Sequence, residues 1–95
     1  MASYGYGALI GGAWRAEGAA RFETRNPAAP RETVGDYAVS TAADIADAVA
    51  AARAAQREWR RVPAAERIRI CNAFFAAIAE RSEAIALAIT LEQGK

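Results

Sequence analysis

Alanine occupies most of the positions where a chain this short would need large side chains to build a core of its own. The 95 residues are 54% hydrophobic, yet 27 of them are Ala, against seven Ile, four Val, three Leu, three Phe, two Trp and three Tyr. A domain near this size buries only about 60–65% of the surface its unfolded chain exposes, so it depends on every bulky residue it has. An independent core would be thin. Part of the apolar surface is therefore expected to rest against another part of a larger protein.

Glycine and proline divide the chain near Ser40. The first forty residues hold six of the seven Gly and two of the three Pro, and the remainder is Ala-rich, charged and helix-prone. Ala8-Leu9-Ile10, then Gly11-Gly12, then Ala13-Trp14-Arg15 reads as a short strand, a glycine kink and a second short strand. Ala16–Ala20 is a turn. Arg21–Arg25 alternates polar and apolar as a returning strand, and Asn26-Pro27 ends it because Pro lacks a ladder donor and holds Asn26 extended. After a loop over Ala28–Arg31, Glu32–Val39 is a third strand candidate.

Thr41 and Asp44 form a capping-box-like start to a first helix over Ala42–Trp59, with Ile45, Val49, Ala52 and Trp59 as its apolar stripe and Ala48 and Ala55 beside it. Val62-Pro63 breaks it, Pro63 taking a tolerated first-turn position. The second helix, Ala64–Arg81, carries Ile68, Cys71, Phe74, Phe75 and Ile78. The third, Glu83–Gln93, is expected to be N-capped by Ser82 and closed by Gly94. The fold class is thus an α+β segment, with short antiparallel strands over residues 1–40 followed by three helices over 41–95.

Charge excludes more than it suggests. The net value of +1, from eleven Arg and one Lys against eleven acids, implies no global electrostatic partner. The Arg53–Arg69 stretch holds six Arg and two Glu, but it reads as a solvated helix surface with local pairs such as Glu66–Arg69 rather than a nucleic-acid face. No His is present, which removes imidazole bases and ligands. The single Cys71 cannot pair internally. Its place on an apolar stripe reads as a buried structural thiol, and one unpaired cysteine suits a reducing compartment. Gly5–Gly11 shows a G-x-G-x-x-x-G spacing, but a dinucleotide site needs a strand before it and a helix after it. A flexible start and hairpin kink is the better reading. Gly11-Gly12 interrupts the first apolar stretch, so neither a signal peptide nor a membrane span is expected, and a soluble cytoplasmic protein is.

Taken in order, several pieces resemble the aldehyde dehydrogenase superfamily across nearly the whole chain. Ile10-Gly11-Gly12-Ala13-Trp14 is similar to its I-G-G-x-W opening. Phe22 with Asn26-Pro27-Ala28 matches F-x-x-x-N-P-A, and Val34-Gly35 follows. Asp44-Ile45 and Ala48–Ala55 resemble a helix that ends in Trp, here Trp59. Pro63, Glu66-Arg67, the Ile70–Ile78 helix and Glu80-Arg81 continue the pattern. Leu91–Lys95 is similar to an E-x-G-K helix end. The run Asn26-Pro27-Ala28-Ala29-Pro30 with Glu32, Val34-Gly35 and Tyr37 is closest in character to members acting on 2-oxoglutarate semialdehyde.

The resemblance implies that the chain is the N-terminal part of a Rossmann-type cofactor domain, packed beside the nucleotide-binding sheet. The complete enzyme would be a homodimer or homotetramer using NAD or NADP to oxidise an aldehyde to a carboxylate, through a cysteine thiohemiacetal and a glutamate-activated water. The catalytic Cys, general-base Glu, oxyanion Asn and cofactor-contacting Lys would all lie beyond Lys95, and Cys71 matches none of them. Some members hold a monovalent cation on backbone carbonyls at the position of Thr24-Arg25, with the completing carboxylate expected downstream. No catalytic, cofactor-binding or metal residue is therefore expected here. Its partner would be the remainder of its own chain, with no nucleic acid and no membrane, and alone it would be inactive. The alternative is a non-enzymatic helical interaction module whose Trp59, Phe74, Phe75 and Ile78 bind a partner.

Overall fold

The computed structural model describes residues 6–16 and 18–95. Strand β1 (Ala8–Ile10) pairs antiparallel with β2 (Ala13–Arg15), Leu9 opposite Trp14. Gly11 and Gly12 join them at φ of 57° and 82°, the two positive values that a tight primed hairpin turn demands and that Gly supplies without a Cβ clash. The expected strand–kink–strand is therefore present.

Strand β3 (Arg21–Asn26) pairs antiparallel with β4 (Ala29–Ala38). The loop expected over Ala28–Arg31 is corrected: only Pro27 and Ala28 turn, and Pro30 lies inside β4. The register explains how Pro is tolerated. Thr24 faces Gly35, Arg25 faces Thr33 and Asn26 faces Ala29, so β4 bulges twice and Pro30 falls within the irregular stretch, where a missing N–H breaks no ladder bond. Side chains fill the gaps. The Asn26 Oδ1 accepts the Ala28 N–H at 2.9 Å, and the Arg25 guanidinium donates to the Pro30 carbonyl at 3.3 Å. Beyond the hairpin, the Ala38 N–H donates to the Tyr6 carbonyl at 3.2 Å, tying the chain start to β4.

Helix α1 (Ala42–Trp59) opens on the expected capping box, Thr41 accepting from the Asp44 N–H and Asp44 from the Thr41 N–H. Helix α2 spans Ala64–Glu80. Pro63 stands just outside it as the N-cap rather than inside its first turn, with its carbonyl accepting from Glu66 and Arg67. Helix α3 spans Ser82–Gln93. Here the expectation fails: Arg81, not Ser82, is the N-cap, and no side chain caps the helix. Arg81 alone leaves helical geometry (φ −105°, ψ 14°) between α2 and α3, so Ser82 is already in the first turn. Gly94 closes α3 in the left-handed region at φ 71°, as expected.

The core is as thin as the composition implies. Among the described residues, Val34 (0% exposed) and Ile10 (7%) are the buried hydrophobic side chains, with Asn26 (8%) beside them. Helix α1 lies on β1, and α3 lies on β3 and β4. Helix α2 packs substantially on no other element among the described residues. The molecule is a slab 49 × 33 × 16 Å with a radius of gyration of 16.9 Å, against about 12 Å for a compact chain of this length. Its accessible surface is 7315 Å², where a compact 10.1 kDa protein would expose about 5,300 Å². A thickness of 16 Å leaves room for little more than one layer of elements, whereas stable domains bury their apolar faces between two.

Candidate functional site

The strands hold the helices at two joints. At the first, the Arg15 guanidinium at the end of β2 donates to Asp47 Oδ2 at 2.7 Å and to Asp44 Oδ1 at 3.5 Å, pinning the start of α1. Asp47, then Asp44, raises the Arg15 pKa, while the Thr41 N–H, its hydroxyl and Arg15 hold the Asp44 carboxyl below its ordinary value. At the second joint the Thr24 hydroxyl donates to Glu92 Oε1 at 2.7 Å, joining residues 68 apart in sequence. Gly94 sits against the Pro27-Ala28 turn. A Cβ there would come within 2.8 Å of the Ala28 nitrogen and 3.1 Å of the Pro27 Cβ.

This second joint brings together the end of α3 and the strand terminus Thr24–Pro27, which the sequence leaves in separate pieces. In the structure Glu92 is half-buried and both segments form one contact. Each half sat in a separate family-like piece, and no local periodicity links positions so far apart. Among the described residues no group of three or more metal-ligating side chains occurs.

The opposite character prevails on the helices. Of the stripes the sequence identified, Ile45, Val49 and Trp59 on α1 and Ile68, Phe74, Phe75 and Ile78 on α2 are exposed, as are Ile85 and Ile89 on α3, while Leu91 is half-buried. On the side of α1 that meets β1, Ala48 and Ala51 are half-buried and share a groove with Leu9 and Ile10, and Ile45 lines a second groove with the same strand. Cys71 is exposed, which corrects its reading as a buried thiol. The stripe position was right, but nothing among the described residues covers it. The expected Glu66–Arg69 pair is present at 2.6 Å and a Glu58–Arg61 pair at 3.1 Å. Arg69 holds the Glu66 carboxyl below its ordinary value, and Glu66 raises Arg69 in turn.

No described arrangement suits phosphate or hydride chemistry. Gly5 of the G-x-G-x-x-x-G spacing lies outside the described residues. Within them Gly11-Gly12 leads into β2 rather than a helix, so no helix N-terminus faces the turn to receive a pyrophosphate. Among the described residues no helix is long and apolar enough to cross a membrane. What the molecule offers is exposed apolar stripes on α1, α2 and α3, with polar joints tying α1 and α3 to the strands.

The profile of the aldehyde dehydrogenase family matches residues 14–95. The chain is similar to aminoaldehyde dehydrogenase 2 of Zea mays, 42% identical over 95 residues that cover 94% of this chain and 19% of the relative. It is similar to N-succinylglutamate 5-semialdehyde dehydrogenase 2 of Caulobacter vibrioides, 42% identical over 89 residues, covering 94% and 18%. To the alpha-ketoglutarate semialdehyde dehydrogenase of Haloferax volcanii it is 42% identical over 73 residues, covering 77% and 15%. The chain thus spans less than a fifth of the length of these relatives. Among solved structures, none matches the chain significantly.

Proposed function

The chain belongs to the aldehyde dehydrogenase family, and on that premise we propose that residues 1–95 are the opening segment of the Rossmann-type cofactor domain of an enzyme oxidising an aldehyde to a carboxylate. Residues 1–40 form its β-rich start and residues 41–95 its helical part. The complete enzyme is read as a soluble cytoplasmic homodimer or homotetramer. The observation that carries this reading is the thin slab with exposed helix stripes. Among the described residues the large stripe side chains of the helices are at the surface, and the two buried hydrophobics lie in the β-rich end. A self-sufficient interaction module would need a core that these residues do not build.

In this reading the segment is scaffold. NAD or NADP, when bound to the whole enzyme, accepts hydride. The residues present here do not fit that group, because their glycine turn opens a hairpin, so no chemical step is routed through them. Capping, the Arg15–Asp47 bridge and the Thr24–Glu92 joint set the angle at which the helices meet whatever covers them. Three relatives of equal identity bear three different aldehyde names, so overall identity singles out no one substrate. 2-Oxoglutarate semialdehyde is the first aldehyde to test, on the strength of the Asn26–Pro30 run and its neighbours.

The test is a chimera in which this chain replaces the matching segment of the maize relative. The chimera should fold and reduce NAD(P)+ when given an aldehyde, and the 95-residue chain alone should not. Turnover by the chain alone, or a compact, cooperatively melting monomer with its aromatic side chains shielded, would overturn the proposal.

A further inference from the structure

Most charged groups on the helices are either matched or free in solvent. Arg67 is neither. It is half-buried, and its Nε is shielded from water with no hydrogen-bond acceptor among the described residues. It makes no ion pair among the described residues, whereas its neighbour Arg69 takes both oxygens of Glu66 at 2.6 and 2.9 Å. Arg67 lines a shallow groove with Ala64, Ile68, Cys71, Asn72 and Phe75. Helix stability does not explain it, since a cation in the first turn opposes the helix dipole. Desolvating a guanidinium donor without an acceptor is unfavourable, and covering an apolar groove around it would desolvate it further.

We infer that α2 is an interaction surface in which Arg67 receives a carboxylate from the protein body that covers the groove, ringed by apolar contacts to Ile68, Cys71 and Phe75. The inference rests on the reading that this body is the other four-fifths of a full-length family chain. A carboxylate, rather than a carbonyl or hydroxyl, fits because the guanidinium is always charged and offers Nε and Nη side by side as a fork that an anion accepts bidentately. A purely apolar cover would bury an uncompensated cation.

The experiment uses the maize chimera and two variants, Arg67→Met and Arg67→Lys. Met keeps the length and apolar contact of the stem and removes the charge. Lys keeps the charge and removes the fork. The chimera's melting temperature should fall by at least about 4 °C with Arg67→Met, as for loss of one partner of a buried pair, and Arg67→Lys should not restore it fully. A crystal structure of the chimera should place a carboxylate oxygen within hydrogen-bond distance of Nε. If the chimera folds but Arg67→Met melts at or above its parent, or a carbonyl, a water or nothing faces Nε, the inference is overturned and the covering reading stands. If the chimera does not fold while the maize enzyme does, the covering reading fails and the inference with it.

Discussion

Truncating Phe75 to Ala should have two different consequences in two settings, and the difference measures how much of this face is meant to be covered. Phe75 is 60% exposed on α2, and its ring partner is Phe74 on the same helix, with centroids 5.9 Å apart. Its remaining burial is therefore largely local to the helix. A Phe side chain presents roughly 200 Å² of surface, so about 120 Å² is still in water. Burying that remainder at about 25 cal/mol per Å² is worth about 3 kcal/mol. Phe75→Ala should accordingly destabilise the chimera by about 3 kcal/mol. Urea titration of the chimera with and without the substitution gives its loss, and far-UV circular dichroism of the isolated chain in water, with and without it, gives the change in helicity there, which should be small. A chimera that loses no stability would refute the claim that α2 is covered in the larger protein. A large loss of helicity in the isolated chain would show that these residues already form an internal core.

Two further perturbations probe the joints. Gly94→Ala forces a side chain into the left-handed region and brings its Cβ to 2.8 Å from the Ala28 nitrogen. It should cost the α3 joint roughly 2–4 kcal/mol, seen as faster hydrogen exchange at Thr24–Ala28 and Thr90–Lys95, with the α1 amides unchanged. Acidification should loosen the start of α1. Because the folded Asp44 pKa is lowered from 3.8, its contribution is fully present above that unfolded value and is lost as pH falls through the lowered folded one. Helicity followed over roughly pH 5 to pH 2 should show a loss that Asp44→Asn removes, and identical titrations would contradict the capping role.

Much of the local architecture was legible because it is written in short-range chemistry. Gly11-Gly12 can only turn a hairpin easily, Thr41 and Asp44 satisfy each other's backbone within one helical turn, and Gly94 stops α3 because it alone accepts φ 71° at no steric penalty. The misjudged points are those where a neighbour outside the window decides. Pro30 looked like a loop residue until the double bulge opposite Arg25 and Asn26 removed the need for its N–H. Ser82 looked like a cap until the near-continuous passage from α2 through Arg81 placed it inside the helix. Cys71 looked buried because its stripe is apolar, but periodicity shows only which residues share a face, not whether anything lies against it.

The sequence alone determined the hairpin-then-helices order, the helix stripes and the kinship with aldehyde dehydrogenases, since each is set by neighbours within a few positions or by pieces met in order along the chain. Tertiary structure decided that Thr24 meets Glu92, that Gly94 seats on Pro27 and Ala28, and that the Arg67 Nε is left without an acceptor among the described residues. Those outcomes depend on how distant segments share a limited volume, and hydrophobic burial has no direction until a second surface supplies one.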